Sequence, residues 1–242
     1  MIRRRFLWTI TLAIAVGTLV AVHGLATAAS LFDEVKKNGK VIIGVRHSSP
    51  PFGFINKGGK VDGFGVDIAK EIAKALGVKL ELRESTSATR IPLVQTGAVH
   101  MTIGPTMISK KRMKSVDFSI PYYMDRKGNR MLVPKDSKIN GFKDLAGKTV
   151  AIVQGSFAKV RLEKNAPKAK LLILQDYPAL LLAVKSGQAN ALFANDFVIQ
   201  DMLKKIPGQF RATPLLHELQ LIGIVLREND SKWKDAVDFV IH

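Results

Sequence analysis

The strongest constraint on the fold is a strand–helix–strand pattern near the start of the chain. Residues 41–45 form an apolar run typical of a buried strand, and residues 79–83 alternate like a half-buried strand. Between them, Ile68, Ile72 and Leu76 recur at helical spacing. Because strands joined through a helix run in the same direction, the pattern predicts a parallel sheet in an α/β fold.

A second series of strand and helix patterns begins at residue 131. Strands are predicted at residues 149–153, 171–174 and 191–193, and helices at residues 177–186 and 196–204. Residues 220–226 then predict a strand that returns to the first unit, and residues 230–241 a helix. We therefore expect two lobes, with lobe 1 at 29–123 and 220–242, lobe 2 at 131–216, and hinge segments at 124–130 and 217–219.

The first 28 residues have the composition of a signal peptide. Arg3, Arg4 and Arg5 precede an apolar run at residues 6–22, and Ala26-Thr27-Ala28 is a small-residue cleavage site. A membrane anchor is the alternative, because the apolar run is long for a signal core. The chain contains no cysteine, which fits export to a bacterial periplasm without a disulfide framework.

The formal net charge of +17 raises the question of a nucleic-acid partner. The lysines are scattered singly over predicted helical faces, without an arginine-rich arm, so we expect no nucleic-acid partner. A basic surface that attracts anionic solutes is the milder interpretation. The sequence suggests no metal cluster, no cofactor and no catalytic Ser/His/Asp arrangement.

Arginines in or beside apolar segments mark the candidate site. Arg90 opens a short predicted helix, and Arg112 follows the loop Gly104-Pro105-Thr106, whose backbone can approach a ligand closely. Arg46 follows the first strand at its carboxyl end, where ligands bind in open α/β sheets. Because guanidinium groups match carboxylates, we predict a small anionic ligand. The alternative is internal salt bridges from Arg90 and Arg112 to Asp67, Glu71 or Asp117.

Six phrases together carry a resemblance to a known family. They are NGKVIIGVRHSSPPFGF, VDGFGVDIAKEIAKALG, SATRIPLVQTG, SKKRMKSVDFSIPYY, FKDLAGKTVAIVQGS and AVKSGQANALFAND. The chain resembles the bacterial extracytoplasmic solute-binding proteins of family 3, which capture polar amino acids for ABC importers, and is most similar to glutamate/aspartate binders. The resemblance implies a type II "Venus flytrap" fold, a monomer, a periplasmic location, and docking onto an ABC permease.

The resemblance also implies roles for individual residues. Arg112 falls at the arginine that grips the ligand α-carboxylate, and Ser87 falls at a hydroxyl contact. Arg46 and Arg90 fall where acidic-amino-acid binders place arginines, and Tyr177 where some of them use a histidine. The other implied ligand contacts are Thr106, the second-lobe loop residues Gly155 and Ser156, and Asn195 and Asp196 at the ammonium position.

Two departures from the family pattern leave the ligand open. Met107 replaces a residue that usually carries a hydroxyl, and Asn195 replaces the aspartate that receives the ligand ammonium. A neutral amide binds an ammonium less strongly than a carboxylate does, so the ligand is either an acidic amino acid or a carboxylate without an amino group. Asp196 is a candidate to compensate.

Two other functions remain open from the sequence. A periplasmic dehydratase acting on carboxylated cyclohexadienes has the same architecture, and so does the ligand-sensing domain of a receptor. Family members also usually continue with a further helix beyond the end of this chain. We therefore expect either a truncated chain or a fold that tolerates the loss, with low stability in the absence of ligand.

Overall fold

The computed structural model describes residues 29–216 and 218–242, so the predicted signal peptide (1–28) and one residue of the second predicted hinge lie outside the described residues. Within them the α-helices are α1 (Leu31–Asn38), α2 (Phe64–Leu76), α3 (Arg90–Gln95), α4 (Ala158–Asn165), α5 (Tyr177–Lys185), α6 (Asp196–Lys205) and α7 (Ser231–Ile241). Short 3-10 helices span Arg112–Lys114 and Phe142–Leu145. Among the described residues, no helix is both long enough and apolar enough to cross a bilayer.

The strands form two five-stranded sheets and two small ones. They are β1 (Lys40–Val45), β2 (Ser48–Ser49), β3 (Gly53–Ile55), β4 (Val61–Asp62), β5 (Lys79–Glu84), β6 (Met101–Ile103), β7 (Asp117–Phe118), β8 (Tyr123–Asp125), β9 (Asn129–Pro134), β10 (Thr149–Val153), β11 (Lys170–Leu174), β12 (Ala191–Asn195), β13 (Phe210–Ala212), β14 (Gln220–Ile222) and β15 (Val225–Leu226).

The first five-stranded sheet has the order β5-β1-β6-β15-β7. Strand β1 runs parallel to β5 and β6, which confirms the predicted parallel sheet, and β15 runs antiparallel between β6 and β7. Helices α1, α2 and α7 pack on this sheet around a core that includes Ile43, Ile72, Met101 and Trp233. The apolar stripe of α2 is therefore the face that the sequence periodicity predicted.

The second five-stranded sheet has the order β11-β10-β12-β9-β13. Strands β10, β11 and β12 are parallel, and β9 runs antiparallel to both β12 and β13. Apolar clusters cover both faces, with Leu192 in one and Phe193 in the other. Successive residues of a strand point to opposite faces, which explains why β12 is apolar from Ala191 to Ala194. The protein is thus a two-lobed α/β structure.

Strands β8 and β14 pair with each other outside both large sheets, with Gln220 opposite Asp125 and Ile222 opposite Tyr123. The prediction of one continuous strand over residues 220–226 is therefore wrong, because β14 and β15 belong to different sheets. Gly223 separates them, and a Cβ at this position would lie 3.0 Å from the Ile108 side chain. A larger residue here would have to displace the Ile108 side chain, so the position favours glycine where the chain changes partner.

Candidate functional site

A small cavity of about 40 Å³ lies between the two lobes, and both lobes and the segments that connect them contribute to its wall. Lobe 1 supplies a hydroxyl, two arginines and the loop after β6, and lobe 2 supplies the ends of β10 and β12 with the starts of α4 and α5. The lining residues are Ser87, Arg90, Pro105, Met107, Arg112, Asn129, Val153, Ser156, Phe157, Ala158, Tyr177, Phe193, Ala194, Asn195 and Gln220.

Six of the ten residues predicted for the site line this cavity. They are Ser87, Arg90, Arg112, Ser156, Tyr177 and Asn195, whereas Arg46, Thr106, Gly155 and Asp196 do not line it. Thr106 is the buried last residue of the loop after β6, and its backbone N–H donates to the carbonyl oxygen of Gly104 (2.6 Å).

Arg112 begins a short 3-10 helix, and this turn fixes its guanidinium. Its backbone N–H donates to the backbone carbonyl of Ser109 (2.9 Å) and, more weakly, to the Ser109 hydroxyl (3.4 Å). Its Nη1 donates to the carbonyl oxygen of Met107 (2.7 Å). Within the described chain, no other hydrogen bond uses this guanidinium, so its remaining donors are available to a carboxylate. Burial lowers the pKa of Arg112.

Arg90 is the first residue of α3 and is only 4% exposed. Its Nη1 donates to Pro105 O (3.4 Å) and its Nη2 to Gly155 O (3.2 Å), while the buried Nε has no partner in the described residues. Burial, followed by repulsion from the Arg112 and Arg46 charges, lowers the pKa of Arg90 well below its usual value. A buried cation in this state is stabilised by an anion.

Arg46 lies immediately after β1 and packs beneath the loop rather than on the cavity wall. A Cβ at Gly104 would lie 2.7 Å from the Arg46 Cγ, so this glycine makes room for the side chain. The Nε of Arg46 donates to Ser49 Oγ (3.2 Å), and the buried Nη1 has no partner among the described residues. Burial lowers the pKa of Arg46.

The alternative of internal salt bridges finds no support in the described part of the chain. There, no carboxylate lies within 4.0 Å of the guanidinium nitrogens of Arg46, Arg90 or Arg112. Two of the proposed partners pair elsewhere, since Asp67 contacts Lys70 (3.0 Å) and Glu71 contacts Lys74 (3.6 Å).

The loop after β10 brings lobe 2 against lobe 1. Gly155 has a φ of +70°, and a Cβ there would lie 2.6 Å from the carbonyl oxygen of Ser87. The backbone N–H and hydroxyl of Ser156 both donate to Val153 O (3.1 and 2.6 Å). The turn therefore uses the Ser156 N–H itself, although Ser156 lines the cavity as the resemblance implies. Gly155 is a point of close backbone contact between the lobes.

Tyr177 is the first residue of α5 and lies at the lobe 2 side of the cavity. Burial raises the pKa of its phenol, and the neighbouring Arg46 and Arg90 charges oppose this effect. The side chain is therefore a neutral hydroxyl at neutral pH, able to donate to an anion or accept from a donor.

Asn195 and Asp196 diverge at the start of α6. The Nδ2 of Asn195 donates to Asp125 Oδ2 (3.0 Å) and to Gln220 Oε1 (3.0 Å). Asp196 is only 3% exposed and forms ion pairs with Arg130 (3.0 Å) and Lys127 (3.6 Å) away from the cavity. The prediction that Asp196 compensates for the missing aspartate is therefore wrong, since its carboxylate is already paired.

The sequence reasoning missed two amides that line the cavity, Asn129 and Gln220. The Nε2 of Gln220 donates to Asn129 Oδ1 (2.9 Å) and to Glu218 Oε2 (3.1 Å). Arg161 of α4 donates to Asn129 Oδ1 (3.0 Å) and pairs with Glu218. The only sequence signal for Asn129 and Gln220 was their position in or next to the predicted crossings. The described residues contain no group of three acidic or histidine side chains that could hold a metal ion.

Comparisons with known proteins place this site in context. Residues 41–242 match the family "bacterial extracellular solute-binding proteins, family 3". The chain is 35% identical over 232 residues to a glutamine-binding protein of Geobacillus stearothermophilus, covering 85% of this chain and 88% of that protein. It is 28% identical over 245 residues to a glutamate/aspartate import solute-binding protein of Salmonella typhimurium, covering 96% of this chain and 80% of that protein.

Among solved structures, the holo form of ArgBP from T. maritima is similar, with a TM-score of 0.81 and 30% identity over 86% of this chain and 92% of that chain. The two sequence relatives are described as a binding protein and a solute-binding protein, and the name ArgBP carries the abbreviation BP. The resemblance noted in the sequence is confirmed, and the chain belongs to the bacterial extracellular solute-binding proteins of family 3.

Proposed function

We propose that the chain captures a small carboxylate, an acidic amino acid or a related acid, between its lobes and delivers it to an ABC permease from the periplasm. One observation carries the anionic part of this proposal. Arg90 and Arg112 line the cavity with Arg46 behind them, and within the described chain no carboxylate pairs with any of the three. Arg46 and Arg90 are buried and Arg112 is half-buried, and guanidinium groups held in this way without a carboxylate are costly, so an anionic ligand is the partner that stabilises them.

The proposed mechanism is closure of the two lobes on the ligand. The Arg90 Nη2 to Gly155 O hydrogen bond joins the lobes directly beside the cavity. The cavity of about 40 Å³ is far smaller than the ~300 Å³ or more of typical ligand pockets, so entry requires the lobes to separate. We propose that residues 124–130 and 218–219, within the two predicted hinge segments, bend to allow this, and that the permease binds the closed form.

A dehydratase on the same fold has less support from the site. Dehydration needs a positioned general acid, and no carboxylic acid or histidine lies among the described residues that line the cavity. The Tyr177 phenol has a raised pKa, which makes it a weaker acid than a free phenol. The residues therefore favour binding without chemistry.

The test is ligand binding by the wild-type protein and by Arg112→Ala, measured by isothermal titration calorimetry and thermal shift with succinate, glutarate, aspartate, glutamate and glutamine. Loss of a hydrogen-bonded charge partner worth about 1.5–3 kcal/mol should weaken binding roughly 10- to 150-fold. Arg83→Ala is the matched control, because Arg83 is exposed and pairs with Glu81 away from the cavity. Unchanged affinity in Arg112→Ala would contradict the proposal.

A further inference from the structure

Three carboxylates on or beside the segments that connect the lobes, Asp125, Asp196 and Glu218, already have partners. Asp125 accepts from Asn195 and from the backbone N–H groups of residues 127 and 128, and Glu218 pairs with Arg161 and accepts from Gln220. Asp196 pairs with basic side chains away from the cavity. Within the described residues, none of these three carboxylates lines the cavity.

We propose that the site selects carboxylates that carry no ammonium group, and dicarboxylates in particular, over α-amino acids of the same length. This inference rests on the proposed function and specifies its ligand. An α-amino acid brings an ammonium that needs a charged acceptor, and the described cavity wall offers only neutral ones. A dicarboxylate brings two anionic groups to a wall that contains two guanidinium groups.

Asn195 is the residue that decides this selectivity. Its Nδ2 is held by Asp125 and Gln220, so the orientation of the amide is fixed and only Oδ1 remains for a ligand. In Asn129 the amide oxygen is the bonded atom instead. Its Oδ1 accepts from Arg161 and Gln220, and its Nδ2 has no partner in the described chain. The two amides thus present one neutral acceptor and one neutral donor, which suit a hydroxyl or carbonyl better than an ammonium.

The surrounding charges act in the same direction. The positive end of α6 begins at Asn195, and Arg90 and Arg112 lie on the same cavity wall. Met107 also lines the cavity and adds only a thioether, which is a weak acceptor. An ammonium placed here would share the wall with two guanidinium groups that have no carboxylate partner among the described residues, whereas a second carboxylate would be attracted to them.

The wild-type protein alone decides the proposal by calorimetric titration with matched pairs, succinate against aspartate and glutarate against glutamate. A neutral acceptor in place of a carboxylate should favour the acid without nitrogen by roughly tenfold or more in Kd. Tighter binding of aspartate or glutamate than of its nitrogen-free counterpart would overturn the proposal. Glutamine is included, and its binding more tightly than glutarate would overturn it as well.

A double variant tests the residue assignment. Asn195→Asp combined with Asp125→Asn exchanges amide and carboxylate, so that the hydrogen bond between them is retained while the negative charge moves to the cavity wall. We expect the preference to shift toward the amino acid of each pair. Asn140→Asp is a control that adds a negative charge on an exposed loop of lobe 2 away from the cavity, and it should leave the preference unchanged. An unshifted preference in a folded double variant would overturn the role of Asn195.

The two proposals fail in different ways. If no carboxylate binds, or if Arg112→Ala binds as well as wild type, the proposed function is wrong. If carboxylates bind through Arg112 but the amino acids bind more tightly, only the selectivity is wrong.

Discussion

Gly155→Ala is the substitution that most directly tests whether the two lobes must touch for binding. Gly155 has a φ of +70°, and its Cα faces the backbone of residues 87 and 88 across the cleft. An added Cβ would lie 2.6 Å from Ser87 O and 2.7 Å from Ala88 Cα, closer than the 3.0 Å that real Cβ contacts respect. Because both neighbours are backbone atoms, the lobes themselves have to move apart.

The expected size of the effect follows from one hydrogen bond. A retreat of about 0.4 Å would lengthen a 3.2 Å bond to about 3.6 Å, which is too long for a hydrogen bond. The bond affected is that from Arg90 Nη2 to Gly155 O, whose donor is charged. Losing it removes about 1.5–3 kcal/mol from the closed state and should weaken ligand binding roughly 10- to 150-fold.

Gly147→Ala provides a matched control for the backbone strain. Gly147 has a φ of +71°, lies in the same lobe, and has no atom within 4 Å of a built Cβ. Both alanine variants should lose about 1–2 kcal/mol of stability from the left-handed conformation, measured by urea unfolding. Only Gly155→Ala should lose affinity by calorimetry. Equal affinities in the two variants would refute the reasoning that contact between the lobes is required.

Two further predictions concern stability. Burial lowers the pKa of His100, whose Nδ1 accepts from the Ile42 N–H (3.0 Å), so the neutral form is favoured in the folded state. This stabilisation should be complete above the unfolded pKa of about 6.5 and be lost as the pH falls toward the lower folded pKa. The free energy of unfolding, measured by urea titration, should therefore fall between about pH 7 and pH 5, and the slope should be smaller in His100→Asn. A slope of the same size in both proteins would contradict this. Asp230 accepts from Ser30 Oγ (2.6 Å) and Trp233 N (3.1 Å), so Asp230→Ala should lower the free energy of unfolding by about 2 kcal/mol or more. Asp235→Ala, an exposed change on the same helix, should have little effect, and equal losses in the two variants would rule out the capping role.

Regular periodicity made most of the fold predictable. The helix around Ile72 and the parallel strands on either side of it follow from hydrophobic spacing, because both elements bury one defined face. The short helix that begins at Arg90 and the turn that presents Arg112 were also predictable, from Pro92 and Ser109. In each case the predictive residues lie within or next to the element that they predict.

What the sequence could not predict depends on long-range partners. Helix α4 was missed because it has no side-chain N-cap and a largely charged surface. The pairing of Asp196 with Arg130 joins positions 66 residues apart, and the Asn195 amide bonds to Asp125 in the first predicted crossing and to Gln220 next to the second. None of these partners is marked by spacing or composition.

The position of β15 has a consequence for the order in which the chain folds. This strand lies between β6 and β7, yet it is made from residues near the C-terminal end. The first sheet is complete only when residues 225–226 have paired with β6 and β7, whereas the second sheet uses the uninterrupted stretch 129–212. Since distant contacts form slowly, we expect two kinetic phases on refolding, with the lobe built from the middle of the chain forming first.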